Sequence, residues 1–159
     1  MTPTSHNEFA TLRNHAQVKR YIHAELGFNY RMEGLQGLVL GLAARRNLAC
    51  MYHERLSDLP LILPTVVNHD HVFHLYVIRS EVRDRLREYL LQHGIETGLH
   101  YPVPLHRQPC LAHFSGDPSS YPVAESYANE CLSLPLFVGL SKAQLDCVCS
   151  TIRRFFGRT

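Results

Sequence analysis

Lysine is nearly absent from this sequence: Lys19 and Lys142 are the only two in 159 residues. Covalent chemistry through a side-chain amine therefore has two candidates and no more. Other signatures of reactivity are missing too. There is no Gly-x-Ser-x-Gly elbow, no Gly-rich phosphate loop and no paired-carboxylate pattern, so the usual motifs of acyl transfer and nucleotide binding are not present. The cysteines (Cys50, Cys110, Cys131, Cys147, Cys149) are odd in number and none has Cys-x-x-Cys spacing. With no charged-then-apolar leader visible, the expected setting is a reducing cytoplasm. No apolar run approaches the roughly 20 residues that cross a bilayer.

Charge is equally undistinguished. Sixteen Lys plus Arg stand against fourteen Asp plus Glu, a formal +2, and the basic residues are scattered rather than gathered into the stripe a nucleic-acid binder needs. The basic pairs Arg45-Arg46 and Arg153-Arg154 fall in segments of helical periodicity, where a solvated face is expected.

What is present is an ordinary globular composition, 45% hydrophobic and 19% charged. At this length about 70% of the unfolded chain's surface can be buried, so a core needs neither disulfide nor metal. Residues 1 to 7 are polar, and Glu8 to Glu25 is a weakly amphipathic segment read as a short arm. Apolar positions from Met32 to Leu56 recur at helical spacing and predict one long helix, weakened by Gly34, Gly37 and Gly41. Val72 to Arg79 reads as a buried strand. Ser80 is placed to cap a helix with Val82, Leu86, Tyr89 and Leu90 on its apolar face, and Gly94 to end it.

The chain then returns as a strand through GIETGLHY and enters a proline-rich connection from Pro102 to Pro118. A helix restarts near Pro122, Leu132 to Phe137 reads as a short strand limited by Pro135, and Ser141 with Gln144 forms a capping box for a last helix. Its stripe is Leu145, Val148, Ile152 and Phe155 or Phe156. The order strand, helix, strand, helix, strand, helix predicts helices packed on a small sheet.

Three places offer polar chemistry. Asn29 and Arg31 project from a turn between helical segments and can reach an anionic group, although Asn29 equally suits a helix cap. His100 lies at a strand end beside Tyr101, as a hydrogen-bond donor or proton carrier, or as a structural histidine. His69, His71 and His74 bracket Asp70, but alternation in an extended segment puts only His69 and His71 on one face. Two ligands do not make a zinc site, and the distant His106 and His113 are the remaining partners.

The runs LRNH (Leu12 to His15), GFNYRM (Gly27 to Met32), EGLQG, ARRN, YHERL, LPLILP, FHLYVIR, GIETGLHYPVPLH (Gly94 to His106), YPVAE and LSLPL, in that order, resemble the DegT/DnrJ/StrS-type nucleotide-sugar aminotransferases. The resemblance begins near Phe9 and covers nearly the whole chain. It implies the C-terminal part of a pyridoxal-phosphate enzyme of fold type I, an α+β domain with a small, mainly antiparallel sheet of three to four strands packed with helices. An N-terminal helical arm, residues 1–31, would precede the small domain, residues 32–159.

By motif, Asn29 would approach the cofactor phosphate of a neighbouring subunit, Arg31 would lie beside it and His100 would sit near the substrate. Neither lysine falls at the family's Schiff-base position, and the family's usual dozen extra residues between Gly41 and Ala43 are lacking. The expectation is a chain inactive alone that works as a homo-oligomer or with a partner carrying pyridoxal phosphate. A stand-alone self-association module without catalysis is the alternative, because apolar surface left by an absent large domain tends to be covered.

Overall fold

The computed structural model describes residues 17–19, 22–23, 35–65, 71–111, 113 and 117–158. In chain order its elements are β1 (Gln17–Lys19), β2 (Ile22–His23), α1 (Leu35–Leu56), β3 (Tyr76–Arg79), α2 (Arg83–Gln92), α3 (Pro122–Glu130), β4 (Cys131–Leu134) and α4 (Lys142–Phe155). Single 3-10 turns lie at Leu105–Arg107, Pro109–Leu111 and Pro118–Ser120. Two compact units result: a core unit of Leu35–His100 with Asn129–Thr159, and a loop unit of Met1–Gly34 with Tyr101–Ala128.

The core unit is a mixed α+β assembly centred on an antiparallel ladder, with Tyr76 opposite Leu134 and Arg79 opposite Cys131. Tyr76 and Ile78 are buried while Val77 and Arg79 are half-buried, the alternation of a strand with one face inward. All four residues of β4 are buried. Each edge is extended by one bridge, Ile62 to Arg79 and Gly98 to Ser133. Where the sequence suggests three to four strands, the described residues of the core unit thus form two strands and two single-bridge neighbours. Proline explains the first shortfall, since Pro60 and Pro64 remove ladder donors on both sides of Ile62. The run from Val72 also becomes strand only at Tyr76, because Phe73 takes a left-handed φ of 45°, which a ladder cannot accept.

Helix α1 presents Leu48, Ala49, Tyr52 and Leu56 to the core, the i, i+1, i+4, i+8 pattern of one buried stripe. The Tyr52 hydroxyl donates to the Pro135 carbonyl at 2.8 Å, and its ring stacks on Tyr76 with centroids 5.0 Å apart. Burial pushes both phenols well above their usual pKa, so both stay neutral. Arg45 and Arg46, expected on a solvated face, instead donate to backbone: Arg45 to the carbonyls of Phe73 (3.3 Å) and His74 (3.0 Å), Arg46 to that of His71 (3.0 Å). They hold the approach to β3 against the helix.

Helix α2 buries Leu86 and Leu90, and Gly94 ends it at φ 74° as its position suggests. Ser80 does not cap it. The helix starts at Arg83, and Ser80 Oγ accepts from the Val82 N–H at 3.3 Å in the preceding turn. Arg83 is buried beside Leu86 and donates to the Cys131 carbonyl at 3.1 Å, tying α2 to β4. Helix α4 carries the expected capping box between Ser141 and Gln144 and buries Leu145, Val148, Cys149, Thr151 and Ile152. It packs on α1 and α2. Arg153 forks onto Asp58 at 2.6 and 2.9 Å and donates to the Arg55 carbonyl at 3.0 Å.

In the loop unit, β1 and β2 pair antiparallel, with Gln17 opposite His23. A helical arm is therefore not what forms over these residues. Val18 and Ile22, within the Glu8–Glu25 segment read as an arm, are β-branched residue types, which favour an extended backbone. Helix α3 begins in this unit and its last two residues belong to the core unit.

Two substitutions separate the cap from the core. Ser141→Ala should cost about 1 kcal/mol of unfolding free energy through the lost cap, and Leu132→Ala, in a fully buried position, about 2–5 kcal/mol. Urea unfolding followed by circular dichroism measures both; comparable losses would contradict the central placement of β4.

Candidate functional site

The GIETGLHYPVPLH run divides between the two units after His100. In the core unit, Gly98 and Ser133 exchange both backbone hydrogen bonds, 3.0 Å from the Gly98 N–H and 2.8 Å from the Ser133 N–H. Two residues past the bridge the chain brings His100 back over it, and His100 Nδ1 lies 2.9 Å from Ser133 Oγ. The ring sits so close to Gly98 that a Cβ there would meet His100 Cε1 at 2.5 Å and Nδ1 at 3.1 Å. Glycine is thus required by close approach, not by φ. Ser133 is 4% exposed and His100 half-buried.

Of the three residues that the resemblance assigns to cofactor or substrate, His100 alone is placed: Asn29 and Arg31 lie outside the described residues. Sequence reasoning quoted Gly98 and Ser133 only as letters of GIETG and LSLPL. The signal was the glycine two residues before the histidine, since a residue without a side chain there leaves room for a ring.

The loop unit has its own polar cluster. His106 Nε2 donates to Glu125 Oε1 at 2.6 Å, Arg107 Nε donates to the same oxygen at 2.6 Å, and the Tyr121 ring stacks on His106 with centroids 4.6 Å apart. Partial burial works to raise the Glu125 pKa, but the His106 and Arg107 hydrogen bonds outweigh it and hold the carboxyl below its ordinary value. His106 is thereby engaged with a carboxylate. His71 Nδ1 accepts the Phe73 N–H at 3.1 Å, and His69 and Asp70 lie outside the described residues. Among the described residues no group of three or more His, Cys, Asp or Glu is placed to hold a metal ion.

Cys131 and Cys149 are buried, and burial pushes the Cys149 thiol up to about 12, where it stays protonated at neutral pH. A pyridoxal phosphate site requires an amine, an acid for the pyridine nitrogen and donors for the phosphate. Lys142, the one lysine whose side chain is described, is exposed in the first turn of α4, and both residues assigned to the phosphate lie outside the described set. The described residues do not by themselves make that site and supply no step through the cofactor.

Two outcomes follow from this geometry. A Glu125 pKa below its unfolded value contributes stability that is fully present above the ordinary carboxylate pKa of about 4.3 and is lost as pH falls through the folded value. Glu125→Gln should therefore lower stability at neutral pH and make the acid limb of a thermal-melt profile shallower; an unchanged limb would remove Glu125 from that role. Gly98→Ala should cost about 1–3 kcal/mol, the usual range for forcing extra volume into a packed site, and displace the His100 ring, which the histidine resonances report by NMR.

Comparison with known proteins places this arrangement. Residues 2–153 match the DegT/DnrJ/EryC1/StrS aminotransferase family. The chain is 39% identical to the erythromycin biosynthesis sensory transduction protein EryC1 of Saccharopolyspora erythraea, over 89% of this chain and 42% of that protein. It is 37% identical to the dTDP-3-amino-3,4,6-trideoxy-alpha-D-glucose transaminase of Streptomyces venezuelae, over 92% of this chain and 42% of the relative. The crystal structure of S. venezuelae DesV superposes with a TM-score of 0.74 at 34% identity, covering 99% of this chain and 46% of DesV. The chain spans about 42% of the length of the curated relatives it matches, and the match runs through both histidine-bearing segments and nearly end to end: it belongs to the DegT/DnrJ/EryC1/StrS aminotransferase family.

Proposed function

We propose that this chain is the C-terminal, small-domain part of a pyridoxal-phosphate-dependent nucleotide-sugar aminotransferase, and that it acts on substrate only together with a large domain carrying the cofactor and its lysine. The observation that carries the reading is the family match over residues 2–153, combined with a span of only about 42% of its relatives. The fixed placement of His100 over the Gly98–Ser133 bridge supports it, because a substrate wall needs a polar group held by rigid backbone rather than by a mobile loop. In this reading His100 faces the sugar nucleotide, while Asn29 and Arg31 serve the cofactor phosphate of the adjoining subunit, in a homo-oligomer or with a partner chain. The two lysines of the chain, Lys19 and Lys142, take no part in holding the cofactor.

The reading has a two-part test. Titrating the purified chain with pyridoxal phosphate should give no borohydride-trappable visible band; a saturable band abolished by Lys19→Ala or Lys142→Ala would overturn the claim that the amine comes from elsewhere. Adding the remaining part of the S. venezuelae transaminase as a separate chain should restore amination of its sugar substrate. Asn29→Ala should then cut turnover roughly tenfold, the worth of the ~1.5 kcal/mol carried by a hydrogen bond to a charged group. Turnover indifferent to Asn29 would remove that residue from the site.

A further inference from the structure

We propose that the segment His71 to His74 is a proton-operated latch: neutral His71 holds Phe73 in its left-handed conformation, and protonation of His71 releases it. Phe73 is the outlier from which the inference starts. It is the one non-glycine residue with a positive φ among the described residues, at 45°, a conformation that is costly for a bulky side chain and persists only where the surroundings hold it. The residue is nevertheless 4% exposed, with its ring centroid 6.3 Å from that of Tyr76 in the core.

Three side chains hold it. Arg45 donates to the Phe73 and His74 carbonyls and Arg46 to the His71 carbonyl, so α1 clamps the segment with two positive charges. The third contact is of another kind: the Phe73 N–H donates to His71 Nδ1 at 3.1 Å. A backbone N–H can only donate, so Nδ1 carries a lone pair and the proton of the neutral ring is on Nε2. The imidazole thereby closes the kind of turn that an asparagine or aspartate oxygen closes by accepting from the backbone two residues on.

An imidazolium bears a proton on each nitrogen and has no acceptor. Turning the ring over does not restore one, since it exchanges an N–H for a C–H. Protonation therefore sets two donors against each other across a gap of 3.1 Å and adds a third cation to a segment that Arg45 and Arg46 already face. The titratable groups described beside it supply no negative charge: His74 is exposed in the same segment, and the Tyr76 phenol, pushed above its usual pKa by burial, stays neutral. His69 and Asp70 lie outside the described residues. The His71 and Phe73 rings, tilted with centroids 4.2 Å apart, attract each other more when the imidazole is charged, but that contact lasts only while the backbone stays closed, and the opposed N–H groups open it. Once released, Phe73 can take the extended backbone that its β-rich run favours. The bond to Nδ1 is thus present above the imidazole range, whose ordinary midpoint is about 6.5, and lost as pH falls through it.

Proton–nitrogen NMR of the full chain, followed from about pH 8 to about pH 5, where histidine changes charge, reads the latch at the Phe73 amide. Its protection against hydrogen exchange should drop roughly tenfold, the scale of one hydrogen bond, in step with protonation of His71, while the Ile78 and Leu132 amides of the ladder keep theirs. His71→Asn, whose side-chain oxygen accepts from the same N–H and does not titrate, should keep the Phe73 amide protected throughout. His71→Ala, with no acceptor, should leave it unprotected at neutral pH. Equal protection before and after His71 protonates would overturn the proposal, and so would the same loss in His71→Asn. The wild-type titration decides by itself if a variant does not fold. No cofactor or substrate enters the measurement, so its failure leaves the aminotransferase reading, judged by turnover, untouched.

Discussion

Strand β4 is the constraint on which the core unit depends. It is buried along its whole length, so every N–H and C=O it carries must find a protein partner. β3 satisfies one edge and the Gly98 bridge contributes to the other. Because Gly98 follows β3 in the chain with α2 between them, the backbone must leave the sheet, form a helix, reverse at the left-handed Gly94 and return on the far side of a strand that arrives only some thirty residues later. The length of α2 and the position of Gly94 are therefore coupled to the closing of β4, and the same return stroke delivers His100. Site and core share one set of hydrogen bonds.

The scarcity of lysine acquires a structural counterpart here. Fourteen of the sixteen basic residues are arginines, and in the core unit many of them finish backbone that the regular elements leave open. Arg45 and Arg46 take the carbonyls of His71, Phe73 and His74, Arg83 takes that of Cys131, and Arg153 takes that of Arg55 while forking onto Asp58. A planar guanidinium with several fixed donors can do this from a half-buried position, where an ammonium would have to shed more of its water. The carbonyls of His71, Phe73 and His74 lie in an irregular segment that no ladder covers, while those of Cys131 and Arg55 lie at the ends of β4 and α1.

Periodicity made the helices legible, and turn chemistry made their ends legible where one residue decides the end: Gly94 by its backbone freedom, Ser141 by its hydroxyl. Strands were less readable because a strand is a relation between two segments. Nothing local in Leu61 to Leu63 or in GIETG says that each contributes a single bridge, and nothing in Val72 to Tyr76 announces the left-handed Phe73. The arm around Val18 and Ile22 was misread for the same reason, since its pairing, not its periodicity, decides its form. Arg45 and Arg46 looked solvated because their acceptors lie more than twenty residues away.

The candidate site shows the same boundary between local and relational information. His100 and His106 are six residues apart in one motif, and residue type cannot tell them apart. Structure does. The His106 side chain is 8% exposed, with Nε2 spent on Glu125 and its face under Tyr121, so its hydrogen-bonding is consumed in holding the connection between Pro104 and α3. His100 is tied through Nδ1, by a neutral hydroxyl on a buried strand. The two histidines of the motif are thus held by different chemistry, His106 by a carboxylate of the loop unit and His100 by a hydroxyl of the core strand.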